Sequence, residues 1–231
     1  MLQGEHMSFN AMRSKEFETD TSVLRDVLYG LERSIGNLLF KRSPPKKGTP
    51  RLLNLGCGPL IYAGWCNADD FAFKRWLREK NFRPEWRLDI TKSWKCENDF
   101  WDGIFCQHVI EHVRYSQAIF VLEECFRTLK PCAWIRISVP SLAKYIDYYE
   151  GRKQDANFFR FSPKALSLSY MAQMHYHKSI WDGELMTVAL GEIGFVNVRE
   201  VSFGEVTDRN IIQYQSDKAW ESLYVEAQKP I

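Results

Sequence analysis

Two glycines, two aspartates and a scatter of histidines are the residues of this chain that could do chemistry. Gly56 and Gly58 close the run Arg51-Leu52-Leu53-Asn54-Leu55-Gly56-Cys57-Gly58-Pro59, the pattern of a buried strand handing over to a tight turn. With no Cβ at either glycine, the backbone can approach a charged, nucleotide-type ligand and offer it N–H donors. Asp69 ends Gly64-Trp65-Cys66-Asn67-Ala68-Asp69-Asp70, and Asp89 ends Glu85-Trp86-Arg87-Leu88-Asp89-Ile90. An ionised carboxylate at such a strand end can accept charge-assisted hydrogen bonds. His108, Glu111 and His112 follow a further apolar segment, and His177 lies well downstream. An imidazole takes or releases a proton near neutral pH, so His108 and His177 are candidate catalytic bases.

These residues converge only if the elements carrying them form one parallel sheet. Apolar runs at 51–55, 64–70, 85–90, 102–107 and 134–139 read as five strands, with helical spacing between the fourth and fifth at Ile119, Leu122, Phe126 and Leu129. Strand, helix, strand in that rhythm predicts a doubly wound α/β sheet. In such a sheet ligands bind beyond the carboxyl ends of the strands, where Gly56, Asp69 and Asp89 would all lie. The segment between Gly58 and Trp65 is too short for an ordinary crossover helix. Asp70 is placed to cap a helix from Phe71 to about Lys80, and Asp182 one ending at Ile193 before Gly194. Val196–Val201 and Ser222–Ala227 read as two last strands.

Residues 1–50 read as an N-terminal helical extension, with a long amphipathic helix from Ser14 to Phe40 and a proline-rich linker. Residues 51–231 form the main domain, and the aromatic-rich stretch 141–177 is an insertion over the sheet's carboxyl edge. The 231 residues carry 45% hydrophobic and 26% charged side chains and a net charge of +2. That balance argues against disorder and gives no support to a nucleic-acid surface. The absence of a membrane-length apolar run or signal-like start leads us to expect a cytoplasmic chain with no membrane partner. Six cysteines without a C-x-x-C pair or a tight Cys/His cluster signal neither a disulfide framework nor a metal site.

Taken in order, these segments resemble the class I S-adenosylmethionine-dependent methyltransferases, in particular small bacterial-type members linked to glycan pathways. Asn54-Leu55-Gly56-Cys57-Gly58 is similar to the family's glycine-rich first motif, Leu88-Asp89-Ile90 to its adenine motif, and Trp101 to His112 to its fourth-strand motif. Leu129-Lys130-Pro131-Cys132-Ala133 resembles the turn before the fifth strand, with Cys132-Ala133 in place of a glycine pair. Asn54 stands where the family usually has an acid, and Leu60 near its third glycine.

The resemblance implies a seven-stranded, mostly parallel Rossmann-like sheet with one antiparallel strand, and S-adenosylmethionine as cofactor. It implies that Asn54, Gly56, Cys57 and Gly58 form the cofactor loop, and that Asp69 takes the ribose. Asp89 and Ile90 would take the adenine, and Cys106 and Gln107 would close the methionine end. The expected activity is methyl transfer to a small-molecule or glycan-like acceptor. A non-catalytic cofactor-binding module and a nucleic-acid methyltransferase are the alternatives. A dinucleotide-dependent oxidoreductase is disfavoured because Ile61 stands where G-x-G-x-x-G needs its last glycine.

Overall fold

In the computed structural model, residues 43–45, 50–70, 83–152, 155–211 and 218–231 are described. The N-terminal helix expected over Ser14–Phe40 and the helix expected over Phe71–Lys80 lie outside them. The sheet has seven strands, β1 (Leu52–Leu55), β2 (Cys66–Asp69), β3 (Trp86–Arg87), β4 (Trp101–Gln107), β5 (Leu129–Pro140), β6 (Val196–Glu200) and β7 (Ser222–Gln228). Their order is β3-β2-β1-β4-β5-β7-β6. β1 to β5 pair in parallel, while β7 runs antiparallel to both of its neighbours. The expected Rossmann-like sheet with one antiparallel strand is therefore the observed fold.

The strands follow from their residues. β1 is apolar but for Asn54 and is buried along its whole length, as befits a central parallel strand covered on both faces. β3 keeps only two residues of the six expected, because Asp89 turns the chain away after Leu88. β5 begins at Leu129, five residues before the expected start, since Leu129 still pairs with Trp101 across an irregularity between Trp101 and Gly103.

Among the described residues, four α-helices pack on the sheet or follow the end of β5. Helix α1 (Tyr115–Thr128) buries Ala118, Val121, Leu122 and Cys125 on one face. Helix α2 (Leu142–Glu150) and helix α3 (Ala165–Gln173) lie in the aromatic-rich stretch. There Tyr145, Tyr148, Phe158, Phe161, Leu166 and Met171 make a second apolar core, separate from the one under the sheet. Helix α4 (Gly183–Ile193) starts where the Asp182 carboxylate accepts from the Leu185 N–H at 2.8 Å, and ends at Gly194 with φ of 112°. This is the cap and stop expected from those two residues. No helix among the described residues is long and apolar enough to cross a membrane.

Cys132, where the related turn carries glycine, adopts a left-handed φ of 64°. A side chain there costs about 1–2 kcal/mol, partly offset by glycine's greater loss of freedom on folding, about 0.5–1 kcal/mol. Cys132 is exposed, so little packing is lost on its removal. Cys132→Gly is expected to stabilise the fold by about 0.5–1 kcal/mol. The check is a shifted urea midpoint at unchanged slope; an equal or lower midpoint contradicts the assignment of strain.

Candidate active site

The connection from β1 to β2 is built without a helix, and its order comes from two asparagines. Asn54 Nδ2 donates to the Leu60 carbonyl at 2.7 Å and to Asn67 Oδ1 at 2.9 Å. Asn67 in turn accepts from the Tyr62 N–H and donates to the Tyr62 carbonyl. Both are buried, and an amide offering donors and acceptors together suits a loop whose backbone must be satisfied away from water. Asn54 thus shapes the loop from behind.

Gly56 has φ of +63°, and a Cβ on it would stand 2.3 Å from Val109 Cγ2, a stiff β-branched side chain. Gly58, at φ of +51°, faces open space, with no atom within 4 Å of where its Cβ would be. The loop's N–H groups are not all turned toward a ligand, contrary to expectation. Cys57 N–H donates to the Ala68 carbonyl at 3.0 Å, and Gly58 N–H to Asp69 Oδ2 at 2.6 Å. The short connection needs these bonds to hold it against β2 where a crossover helix would otherwise brace it. Asp69 therefore sits directly beside the glycine turn. Asp89 lies at the end of the neighbouring strand, where Leu88 N–H bonds the Asp69 carbonyl. Its carboxylate serves its own turn, accepting from Thr91 N–H and Oγ1 and pairing with Lys92 at 2.9 Å.

At the end of β4 the strand splits its residues between core and site. Cys106 is fully buried in the main core, where burial pushes its thiol well above the ordinary value. Gln107 and His108 face a cavity of about 240 Å³. His108 has a left-handed φ of 49°, uncommon outside glycine, which turns its ring back under the strand end. Its Nδ1 lies 3.0 Å from Glu111 Oε1 and its Nε2 lies 2.8 Å from Ser222 Oγ. Ser222 Oγ donates its single proton to the Lys218 carbonyl at 2.7 Å, so at Nε2 the imidazole is the donor. Both ring nitrogens of His108 are thus engaged by neighbouring side chains, Nδ1 by Glu111 and Nε2 by Ser222.

Glu111 is 1% exposed. Burial alone would raise its pKa, but the His108 hydrogen bond and the nearby His108 and His112 charges hold it below the ordinary glutamate value. Burial lowers His112, with Glu111 pulling the other way. His177 Nδ1 lies 2.6 Å from the Met171 carbonyl, which can only accept, so Nδ1 carries the proton and Nε2 the lone pair. Across the cavity Glu221 is buried between Tyr145, whose hydroxyl donates at 2.6 Å, and Lys218 at 3.0 Å.

One cavity thus collects Gly56, Cys57 and Gly58 from the glycine turn, Gln107 and His108 from β4, and His177 from the segment after α3. Those six expected site residues come together. Asn54, Asp69, Asp89, Ile90 and Cys106 do not line it. Asn54 and Cys106 sit behind it, and Asp69 and Asp89 lie along the β2 and β3 ends. Lys218 and Glu221 join the lining although sequence reasoning passed over them. Their signal was the last strand. An antiparallel β7 must begin at the edge where the parallel strands end, and Ser222 does pair with Pro140 there. Tyr170, His112 and His175 complete the wall, so four of the chain's five histidines face this space.

A family model described as a methyltransferase domain matches residues 26–200. Among solved structures, a SAM-dependent methyltransferase from Archaeoglobus fulgidus is 15% identical with a TM-score of 0.52, the match covering 96% of this chain and 100% of that one. A chain of the complex between the Haloferax volcanii Trm112 methyltransferase activator and a methyltransferase is 12% identical with a TM-score of 0.52, covering 94% and 98%. At such identities these structures speak to fold alone. No curated protein matches the chain. The family match runs over most of the sequence and includes the glycine turn, the β4 end and the helix between β4 and β5, and the chain belongs to the S-adenosylmethionine-dependent methyltransferases.

Proposed function

We propose that this methyltransferase moves the methyl group of S-adenosylmethionine to a hydroxyl of a small, polar, sugar-like acceptor. The observation that carries the reading is the small cavity that opens at the glycine turn and ends among histidines. The residues fit the cofactor. Gly58 leaves a space that a Cβ would fill, and the Asp69 carboxylate stands beside it, accepting from the Gly58 N–H at 2.6 Å.

On this reading Asp69 holds the ribose hydroxyls, and the Asp89–Ile90 turn borders the adenine, with Ile90 as its apolar face. Gly56 to Gly58 and Gln107 flank the methionine end. S-adenosylmethionine supplies a methyl group already activated on a sulfonium. The chain has then chiefly to align donor and acceptor, an effect that reaches about 7–11 kcal/mol in favourable cases. His177, with its lone pair on Nε2, meets the acceptor. His108 is a positioning residue that fixes Glu111. Beyond the glycine turn, His108, Glu111, His112, His177, Lys218 and Glu221 line the cavity and offer hydrogen-bonding groups to such an acceptor.

The test is transfer of labelled methyl from S-adenosylmethionine to a panel of small sugars and polyols, phenols, and RNA and DNA at low salt. Label on hydroxyls of the small acceptors supports the proposal. Label confined to nucleic acid, or tight cofactor binding without turnover on any acceptor, overturns it.

A further inference from the structure

The geometry points to a divalent transition-metal site at the acceptor end of the cavity, formed by Glu111, His112 and His177. One donor atom from each of these three residues lies within 4.8 Å of the other two. An ion with bonds of about 2.0–2.2 Å spans donors about 4 Å apart, so small side-chain rotations suffice to close on it. What surrounds the three side chains is what singles out an ion.

Glu111 Oε2 is fully buried and has no hydrogen-bond partner among the described residues, while Oε1 lies 3.0 Å from His108 Nδ1 and 3.9 Å from His112 Nε2. A buried carboxylate oxygen left so is costly, and a cation held by the same carboxylate offsets that cost. Two of the three candidate ligands are also fixed from behind. His108 orients Glu111, and the Met171 carbonyl fixes the tautomer of His177 at 2.6 Å. Outer partners of this kind, a carbonyl or a charged group on the far side of each ligand, are what metal-binding histidines and carboxylates ordinarily carry. Two imidazoles with one carboxylate select a first-row transition ion over magnesium or calcium. Three protein ligands leave a coordination position for water or substrate, and here it would face the cavity.

The inference rests on the proposed function in one respect, that the cavity receives the acceptor. It deepens that reading by giving the acceptor hydroxyl a place to bind, the coordination position that the three ligands leave open. In the metal-bound protein the His177 lone pair is used on the ion, so His177 acts on the acceptor through it. Spacing alone does not reveal the cluster, because the glutamate–histidine pair and His177 are far apart in the chain and no cysteine takes part.

The experiment uses the full chain stripped with a chelator. Zn²⁺ is titrated by calorimetry, and Co²⁺ is followed by its visible ligand-field absorption, with S-adenosylmethionine binding measured on the same stripped sample. One equivalent of Zn²⁺ is expected, with Co²⁺ bands that Zn²⁺ displaces and Mg²⁺ does not. His177→Gln and Glu111→Gln should each weaken Zn²⁺ binding about 100-fold or more, beyond the 10–100-fold typical of outer partners. His177 is part-exposed, so its variant keeps the test open should the buried Glu111 variant unfold. Wild-type protein that binds the cofactor but neither metal overturns this site while leaving the methyltransferase reading intact. Folded His177→Gln with wild-type Zn²⁺ affinity overturns it equally.

Discussion

Asp69→Ala is expected to weaken S-adenosylmethionine binding by about 100-fold or more in calorimetry, the largest functional loss of any single change along β2. Two hydrogen bonds from ribose hydroxyls to a carboxylate are worth about 1.5–3 kcal/mol each, and about 1.4 kcal/mol is one decade of affinity. A second loss adds to this. Asp69 Oδ2 accepts from the Gly58 N–H at 2.6 Å, so alanine also releases the glycine turn that the cofactor's methionine end must meet. Asp69→Asn keeps an acceptor for Gly58 but not the charge, and should fall between, at about 10-fold. An alanine variant that is folded and binds within about threefold of wild type would remove Asp69 from the cofactor site.

Glu226→Ala is expected to cost the fold about 3–5 kcal/mol, the range found when one partner of a buried ion pair is removed. Glu226 is fully buried on β7. It receives Arg136 from β5 at 2.7 Å, Arg199 from β6 at 3.2 Å, and both the N–H and hydroxyl of Thr207. Arg136 is itself 1% exposed, and its guanidinium lies over the Tyr224 ring, 5.1 Å from the centroid. Alanine at 226 leaves that guanidinium charged, buried and without its counter-ion, which is where the cost arises. The control is the paired change Arg136→Met with Glu226→Leu, which removes both charges and should recover most of the loss. Urea unfolding at constant slope measures it. A single variant destabilised by less than about 1 kcal/mol would mean that solvent or another group already compensates the pair.

Much of the fold is legible in the sequence because its strands carry the signal twice, in apolar runs and in what ends them. Asp182 and Gly194 bracket a helix as their chemistry requires, and the last two strands lie within a residue or two of their expected bounds. β3 is shorter than its pattern suggests. Its apolar residues Leu88 and Ile90 pack on the core after the strand has ended, which hydrophobicity cannot distinguish from strand. The aromatic stretch reads as an insertion at the sheet edge, but not as a core of its own, since nothing in spacing alone says that Tyr145, Phe158 and Phe161 close on Trp220.

The site is legible in part, for a similar reason. Glycines and acids at strand ends are positioned by the sheet itself, so the order of the strands is enough to group Gly56, Gly58 and Asp69. Groups delivered by irregular backbone escape that logic. His175 and Tyr176 both have left-handed φ ahead of His177, and that local path, invisible in composition, carries His177 back beside His112 with ring centroids 5.0 Å apart. Nor can spacing reveal that both nitrogens of His108 are engaged, one by Glu111 and the other by Ser222.

The most direct measurement is an experimental structure of the chain with S-adenosylhomocysteine bound. It should have the ribose hydroxyls on Asp69, the adenine beside Ile90, and the sulfur at Gly56–Gly58 facing the histidine-lined cavity. A product bound away from the ends of β1 and β2, or with its sulfur turned from His177, would contradict the account.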